Sequence, residues 1–445
     1  MIRISKGLDI PISGAPKQQI DSSPDIHRVA LLGSDYPCMK PRFLVQEGDS
    51  VKLGQPLFSD KKNPEILYTS PGCGVVTAIK RAERREFISI VIELCGDDEI
   101  SFSVLTDARL SETPAAEIEK RLLSSGLWTA FRTRPFAKIP VPGTKPAAIF
   151  VTAIDSNPLA ADPDLVINEN EIQFHAGLKG LKSLTTGKLY LCRGEFSSVK
   201  VPECVTDATF SGPHPVGLSG THIHFLEPVS LNRQVWHINY QDVIAVGKLF
   251  LTGRISVERV VSIAGPKALS PRLIRTRMGA DILELTKNEI DSGEVRIISG
   301  SILSGHTAAA DSAFLGRYHC QISIISEERE RKFLNWLAPG FNRISVKPLY
   351  ASALLPARNF SFGSSTNGSS RGMVPIGAFE KIMPLDLKIT WLLRSLLADD
   401  VEMAQQLGCL ELSEEDLALC SYVCSGKIDY GSHLRRILNR IEEEG

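Results

Sequence analysis

The chain lacks features that define several large classes of protein. It has no run of the ~18 or more apolar residues that a membrane-spanning helix needs. Its N-terminus, charged at Arg3, Lys6 and Asp9, has no apolar core of a signal peptide. Neither sign of charge is in excess, since 50 Lys and Arg stand against 51 Asp and Glu. We therefore expect a cytosolic chain that does not cross a bilayer alone and binds no nucleic acid.

The nine cysteines form no recognisable motif. Their odd number and scatter along the chain indicate a reducing compartment and argue against a disulfide framework. An iron–sulfur cluster commonly uses C-x2-C spacing, whereas Cys409, Cys420 and Cys424 are separated by ten and three residues. We expect these three to be idle or buried thiols.

Strand-forming runs and turns dominate residues 27–94 of the sequence. The turns in GDSVKLGQPLF, DKK and SPGCGVV are typical of a biotinyl or lipoyl barrel, in which a lysine at a hairpin tip is acylated. Lys61 and Lys62 lie two or three residues too early for that role, and Asn63-Pro64 follows them. The pattern predicts a structural barrel rather than a carrier domain.

An α/β domain is indicated by the run AAIFVTAI at residues 147–154, which is apolar on both faces as in a central parallel strand. A helix predicted over 171–184 and the strand KLYLC complete a βαβ unit. The turn DSNP replaces a glycine-rich phosphate loop, so we do not expect dinucleotide binding of the usual kind.

The stretch FSGPHPVGLSGTHIHFL is predicted to be a loop, because glycine and proline crowd its first half. If it were extended, His222 and His224 would share a face, with His214 and His237 as candidate neighbours for a metal. No acidic or cysteine ligand stands at a recognisable spacing, which favours histidines that make ordinary hydrogen bonds. No G-x-S-x-G elbow is present, and we predict no catalytic and no metal-ligating residues.

The C-terminal part changes character twice. Short β runs between residues 259 and 325 predict a small β-rich domain with one helix, and the tract SFGSSTNGSSRG after Tyr350 predicts a mobile linker. Helical periodicity then dominates. Its apolar positions are Ile389, Leu392, Leu393 and Leu396, then Leu434, Ile437, Leu438 and Ile441, with Ser413 as the N-cap of an acidic first turn between them.

The segment GLWTAFRTRPFAKIP combines aromatic and basic side chains. Such a loop suits a planar carbonyl ligand of the quinone type, a subunit interface or internal packing, and the sequence leaves all three open. The candidate residues are Trp128, Phe131, Arg132, Arg134, Phe136 and Lys138, with Tyr36 and Met39 of the turn Tyr36-Pro37-Cys38-Met39 as weaker candidates for the same surface.

Long strings of the sequence resemble the A subunit of the bacterial sodium-translocating NADH:quinone oxidoreductase (Na⁺-NQR). The strings include KGLDIPISG, SGLWTAFRTRPF, FVTAIDSNPLA, SGPHPVGLSGTHIHFL, NYQDVIAVGKLFLTGR, MVPIGAFEKIMPLD and QQLGCLELSEEDLALCSYVCSGKIDYGSHLR. They run almost from end to end and are far more specific than a short motif.

The resemblance implies a peripheral subunit on the cytoplasmic side of the cell inner membrane. It would belong to a complex that passes electrons from NADH to ubiquinone and exports Na⁺, and its partners would be the other subunits, especially the membrane-embedded B subunit. NAD, FAD, FMN, riboflavin and the 2Fe-2S centre are placed on those subunits. The chain itself would hold no firmly bound cofactor, would not be catalytic alone, and would help to bind ubiquinone.

A more distant resemblance, to the flavin-binding subunit of respiratory complex I and to the C subunit of the Rnf complex, implies an α/β domain, a β-grasp domain and a helical domain, in that order, after the barrel that the turn pattern indicates. The expected parts are a barrel-sandwich domain at 1–103, a Rossmann-like α/β domain at 104–255, a β-grasp (SLBB-like) domain at 256–330, a linker at 331–380, and a helical domain at 381–445 that resembles an iron–sulfur domain without its cluster. Trp128, Thr129 and Arg132 stand where those relatives keep small residues beside flavin, and their bulk is expected to exclude it. The alternative is an autonomous flavin- or NADH-dependent dehydrogenase.

Overall fold

The structure is a computed structural model that describes residues 1–329, 338–369 and 371–444. In chain order, its strands are β1 (Ile2–Arg3), β2 (Lys17–Ser22), β3 (Arg28–Leu32), β4 (Pro41–Phe43), β5 (Ser50–Val51), β6 (Pro56–Asp60), β7 (Leu67–Thr69), β8 (Gly74–Arg81), β9 (Phe87–Leu94), β10 (Arg132–Arg134), β11 (Ala148–Ala153), β12 (Lys188–Gly194), β13 (Thr206–Ser211), β14 (Val235–Asn239), β15 (Glu258–Ala264), β16 (Arg272–Arg277), β17 (Val295–Ser299), β18 (His306–Thr307) and β19 (Gln321–Ser326). Its α-helices are α1 (Asp107–Leu110), α2 (Ala115–Ser125), α3 (Pro163–Glu169), α4 (Glu171–Lys182), α5 (Ser219–Leu226), α6 (Tyr240–Thr252), α7 (Ile282–Thr286), α8 (Phe379–Ile382), α9 (Ile389–Leu397), α10 (Val401–Gln406), α11 (Ala418–Val423) and α12 (Tyr430–Glu444).

A six-stranded sheet in the order β1-β13-β12-β11-β14-β10 forms the α/β part. Its central strands are parallel, and β10 is an antiparallel edge strand. Because side chains alternate along a strand, Ile149 and Val151 of β11 pack with α4 and α6 on one face. Phe150 packs with Ile223 of α5 on the other face. The prediction of a central strand covered on both sides is confirmed.

Helices α4 and α6 approach each other closely through glycine. A Cβ on Gly177 would lie 2.2 Å from the carbonyl oxygen of Val243, and one on Gly247 would lie 1.7 Å from that of Gln173. Either distance is far below van der Waals contact. The two helices can therefore pack at this distance only because both positions lack a side chain.

The loop predicted for residues 210–226 is wrong in its second half. Ser219–Leu226 is helix α5, and His222 and Ile223 within it are fully buried. Most of the glycines and prolines that suggested a loop lie before Leu218, where the chain is irregular. The residues after Leu218 form the helix and pack against the sheet. His222 and His224 thus lie on a helix, not on one face of an extended segment.

The barrel-sandwich part consists of a four-stranded sheet, β3-β9-β8-β5, and a three-stranded sheet, β4-β6-β7. Its core contains stacked rings, with the centroids of Phe58 and Tyr68 4.5 Å apart. Strands β1 and β2 lie outside it, since β1 pairs with β13 and β2 with β16. The range 1–103 predicted for this domain therefore includes two strands that complete the sheets of other domains.

The next sheet has the order β18-β17-β19-β15-β16-β2 and carries the short helix α7. The Ser- and Gly-rich tract after it is attached in part, because an isolated β-bridge joins Gly363 to Ser326 of β19, and another joins Phe360, just before the tract, to Ile12. Residues 331–337 and 370 of the linker predicted at 331–380 lie outside the described residues.

The C-terminal part is helical, as predicted. All eight apolar positions named from periodicity in α9 and α12 are buried in one core. Ser413 caps the turn that follows it, Glu414–Leu417, through a capping box with Asp416, whose carboxylate accepts from the Ser413 backbone N–H at 2.8 Å. Among the described residues, no helix has the length and apolar character needed to span a membrane.

Candidate functional site

A cleft of about 850 Å³ lies where the α/β part, the part built on the sheet β18-β17-β19-β15-β16-β2, and the helical part meet, and we call it the interdomain cleft. Asp155 follows β11 and Asn239 ends β14, and both line the cleft. The chain leaves β11 toward β12 on one side and later returns to β14 on the other. Such a switch point, at the carboxyl ends of parallel strands, is where open α/β sheets bind ligands.

The walls of the interdomain cleft carry more carboxylates than cations. The acidic lining residues are Asp35, Asp155, Glu414, Glu415 and Asp429, and the basic ones are Arg132 and Arg435. Glu414 is paired with Arg435, which lowers the pKa of Glu414 although burial alone would raise it. This charge balance disfavours a phosphate-bearing ligand.

Arg132 is the basic side chain of the aromatic-basic loop that faces the interdomain cleft. Its guanidinium lies 5.1 Å from the ring centroid of Tyr318. Burial lowers its pKa, but Glu415 and Tyr318 outweigh burial and raise the pKa above the usual value. Its Nε is buried without a hydrogen-bond partner. The cation is thus held beside the cleft with unused hydrogen-bonding capacity.

Arg134 lies in the interior, with none of its side chain exposed. Its Nη1 is 2.9 Å from Nε2 of His237, and its Nη2 donates to Ser413 Oγ at 2.6 Å and to Glu415 Oε1 at 3.1 Å. Burial and then Arg134 lower the pKa of His237 well below its usual value, so the neutral ring accepts from the guanidinium. Arg134 joins the α/β sheet to the helical part.

Trp128 and Phe131 are also fully buried. The Trp128 ring lies edge-on to those of Phe131 and Trp236, with centroids 5.4 and 5.3 Å apart, and its Nε1 donates to the carbonyl of Pro140 at 2.9 Å. Internal packing accounts for these two residues. Of the three side chains expected to fill a flavin position, Arg132 lines the interdomain cleft, whereas Trp128 and Thr129 do not.

Phe136 and Lys138 line a second, smaller cavity of about 130 Å³ together with Tyr36 and Met39, and we call it the side cleft. Residues 36–39 and 136–138 are about one hundred positions apart in the sequence, yet the structure brings them to one place. Tyr318 borders both cavities, so the side cleft adjoins the interdomain cleft.

The polar groups of the side cleft are linked to the helical part. Lys138 forms an ion pair with Glu442, and burial lowers the pKa of Lys138 although the neighbouring Cys38 opposes that effect. The Cys38 thiol lies 3.2 Å from Oδ1 of Asn439. Lys62, at the hairpin that suggested a carrier domain, also lines this cavity. Helix α12 therefore closes one side of the cleft.

The four histidines considered as metal ligands have separate partners. The ring Nδ1 of His214 is 3.0 Å from Ser156 Oγ, the Nε2 of His222 is 2.9 Å from the carbonyl of Val216, and the Nδ1 of His224 is 2.6 Å from Glu411 Oε2. Burial lowers the pKa of His214 and of His222 to about 4. Across residues 1–329, 338–369 and 371–444, no three His, Cys, Asp or Glu side chains converge as metal ligands.

The cysteines near the C-terminus are buried, and burial raises the pKa of Cys409 to about 12. Burial also raises the pKa of Cys420, with Cys424 adding to the effect. Cys409 and Cys420 therefore keep their protons at neutral pH. The resemblance of this part to an iron–sulfur domain is not confirmed.

Sequence reasoning missed a buried ion cluster between three parts of the molecule. Asp242 of α6 forms ion pairs with Arg259 and with Arg317, whose Nη1 lies 2.9 Å from Oδ1 of the carboxylate. The backbone N–H of Arg317 donates to Oδ2 of Asp35 at 2.8 Å. These residues are up to 282 positions apart, so no local pattern could indicate the cluster.

Comparison with known proteins gives matches along the whole chain. Three family descriptions match in order: "NqrA N-terminal barrel-sandwich hybrid domain" at residues 2–95, "NqrA second alpha/beta domain" at 113–255 and "NQRA C-terminal domain" at 260–310. The A subunits of the Na(+)-translocating NADH-quinone reductase from Cellvibrio japonicus and from Pseudomonas aeruginosa are 52% and 53% identical to this chain, and each match covers 100% of both chains.

Among solved structures, one chain of an NAD⁺-reducing [NiFe]-hydrogenase in the air-oxidized state covers 50% of this chain and 49% of its own length, at 14% identity and a TM-score of 0.36. The curated relatives are similar from end to end and have the same length within a few residues. The chain therefore belongs to the family formed by the A subunits of the Na(+)-translocating NADH-quinone reductase.

Proposed function

We propose that this chain is the peripheral, cytoplasm-facing subunit of a complex that couples NADH oxidation and ubiquinone reduction to Na⁺ export at the cell inner membrane. It docks on the membrane subunits, the B subunit among them. NAD, FAD, FMN, riboflavin and the 2Fe-2S centre stay on other subunits, and this chain helps to form the ubiquinone site.

The observation that carries the ubiquinone part is the convergence of Tyr36, Met39, Phe136 and Lys138 on the side cleft. A quinone head is a planar ring with two carbonyl oxygens, so it needs apolar walls and a few hydrogen-bond donors. Phe136 and Met39 supply apolar surface, and the Lys138 ammonium supplies a donor. The buried side chains of Trp128, Phe131 and Arg134 anchor the backbone of this loop in the interior of the protein.

The adjoining interdomain cleft gives the ligand further room. Arg132 lines that cleft, and a guanidinium can donate a hydrogen bond to an uncharged carbonyl acceptor. The cleft's surplus of carboxylates does not oppose a neutral quinone as it would a phosphate. Reduction at this site takes electrons from the redox groups of other subunits, and the chain's own residues position the ring.

Photo-crosslinking of a ubiquinone analogue to the complex assembled in membranes tests this proposal. We expect label on residues 36–39 or 136–138, competed by ubiquinone and reduced several-fold by Phe136→Ala. Phe196→Ala is the matched control, since that ring is 94% exposed and lines neither cleft. Label confined to other subunits would remove the quinone site from this chain.

Docking is tested separately by co-purification. A tagged chain extracted from membranes with mild detergent should bring the other subunits with it, the B subunit included. Recovery of the tagged chain alone, under conditions in which the remaining subunits stay together, would contradict the docking.

One observation favours a second candidate, an autonomous flavin- or NADH-dependent dehydrogenase. The interdomain cleft has the volume and the position, at the carboxyl ends of β11 and β14, of a mononucleotide site in α/β proteins. Its acidic walls argue against a phosphate. Flavin absorbance or NADH oxidation by the purified chain would establish this candidate, and a colourless inactive chain with the mass of the bare sequence would eliminate it.

A further inference from the structure

Cys73 and Cys95 lie opposite each other at the end of the β8-β9 ladder. Gly74 of β8 pairs with Leu94 of β9 in antiparallel register, which places the two cysteines as the next facing pair. The backbone N–H of Cys95 donates to the carbonyl of Cys73 at 3.0 Å. Facing residues of an antiparallel pair project to the same side of the sheet. The two thiols therefore belong to one cross-strand pair.

This arrangement meets the backbone requirement for a disulfide. Facing residues in a hydrogen-bonded antiparallel pair have Cα atoms about 5.5 Å apart, and disulfides span Cα distances of about 4.4 to 6.8 Å. Both cysteines stand just beyond the ends of β8 and β9, where the ladder stops and small adjustments are easiest. Both thiols are free in the structure.

The pair is open to reagents. Cys95 is exposed and Cys73 is half-buried, and both line a groove of about 580 Å³ between the barrel-sandwich part and β16. Ile26 and Arg277 form other parts of its wall. A groove of this volume is in the usual range of small-ligand sites, about 300 to 1,000 Å³, and admits a tripeptide such as glutathione.

We propose that Cys73 and Cys95 are a thiol modification site that closes reversibly into a cross-strand disulfide by exchange with a low-molecular-weight disulfide such as glutathione disulfide. A thiolate of one cysteine attacks a glutathione sulfur, and a mixed disulfide forms as one glutathione leaves. The facing cysteine then attacks the protein sulfur of that mixed disulfide and expels the second glutathione. The protein gives up two electrons and two protons, and glutathione disulfide becomes two thiols.

The site does not conflict with the reducing compartment inferred from the cysteine pattern. A disulfide across a hydrogen-bonded strand pair is held between backbones that the sheet has already fixed, which makes it easier to reduce than a structural bridge. It therefore opens when the glutathione pool is reduced and closes when the pool is oxidised. Within the part of the chain that the structure describes, the groove shares no lining residue with either cleft, so thiol exchange there does not require ubiquinone binding.

The test treats the full native chain with glutathione disulfide, blocks the remaining thiols by alkylation, and maps peptides by mass. We expect a peptide pair joined through Cys73 and Cys95, lighter by two hydrogens than the thiol forms and separated by dithiothreitol. In Cys73→Ser or Cys95→Ser the exchange cannot be completed, so glutathione should remain on the other cysteine of the pair.

Cys204→Ser is the control, because Cys204 is an exposed thiol outside the groove and its removal should leave the joined peptides unchanged. Three results would overturn the proposal: separate glutathione adducts on Cys73 and Cys95 in the unmutated chain, modification of Cys204 while the pair stays reduced, or joining of either cysteine to a different thiol.

Discussion

Arg134 is held as a full charge in the interior, and its partners are carboxylates and neutral acceptors from two parts of the molecule. Replacing it in Arg134→Met keeps the volume but leaves Glu415 and the nearby Asp416 without their buried counter-charge. Loss of one partner of a buried pair costs about 3–5 kcal/mol. We expect a fall of that size in the free energy of unfolding, measured by urea denaturation.

The matched control for Arg134 is Lys200→Met, which removes an exposed ion pair with Glu171. Exposed pairs contribute about 1 kcal/mol or less. Equal losses in the two variants would show that the Arg134 network adds no more than a surface pair.

Asp35 makes a pH-dependent contribution to stability. Burial raises its pKa to about 6, against the opposing effects of the Arg317 N–H and charge and of Arg132. Because the folded pKa lies above the unfolded value of about 3.9, the contribution is complete below about pH 4 and is lost as pH rises through about 6. Asp35→Asn should therefore gain stability relative to the unmutated chain, by about 1–3 kcal/mol, between pH 4 and 7.

Urea denaturation of both proteins across that pH range measures the effect, and the difference between them removes the contribution of the buried histidines. A difference that stays constant with pH would mean that Asp35 titrates normally in the folded chain.

The residues around the side cleft could be named from the sequence, whereas their roles could not. Aromatic and basic residues close together in 128–138 indicate a structured, functional loop whichever side chains point outward. Which side chains point outward depends on residues about 280 positions later in the chain. Ser413 and Glu415 accept hydrogen bonds from Arg134, whose side chain therefore lies in the interior. Phe136 and Lys138 remain at the cavity because the chain turns there, with Phe136 at a φ of 77°.

The contact between α4 and α6 sets the thickness of one face of the α/β part. Gly247→Ala would place a methyl group 1.7 Å from the carbonyl oxygen of Gln173, so the helices must separate. Overpacking of this kind costs about 1–3 kcal/mol. We expect a corresponding fall in the midpoint of thermal unfolding, followed by circular dichroism.

Gly194→Ala is the control for this helix contact, since a Cβ there meets its nearest atom at 3.9 Å. It should leave the midpoint nearly unchanged. A fall that matches that of Gly247→Ala would assign the loss to glycine replacement in general rather than to the helix contact.

Helices and strands were predictable where the pattern is local. The apolar spacing in α9 and the continuous apolar run in β11 correctly identified their elements, because α9 buries one periodic face and β11 is buried on both faces. Helix α5 was missed because its start is preceded by glycine and proline and its eight residues are too few to show a clear period. Helix α5 is stabilised by its packing against β11, a contact that the local sequence does not indicate.

Asp242 of α6 joins the α/β part to the part that contains β15 and β19, because it pairs with Arg259 and Arg317. Asp242→Asn removes the carboxylate that these two buried arginines share. We expect a loss of about 3–5 kcal/mol in unfolding free energy and a calorimetric transition that broadens or divides as the parts unfold separately.

Asp207→Asn, which breaks a partly exposed pair with Arg193, serves for comparison and should keep a single transition near the original midpoint. A sharp, unshifted transition in Asp242→Asn would mean that the three parts are joined by other contacts.

Strands β1 and β2 pair with strands that come much later in the sequence, which affects folding during synthesis. Both strands are synthesised well before their neighbours β13 and β16, which begin at Thr206 and Arg272. At roughly 5–20 residues per second, the ribosome needs about ten seconds or more to supply either partner. We therefore expect β1 and β2 to stay unpaired during that interval, in which chaperones can reach them.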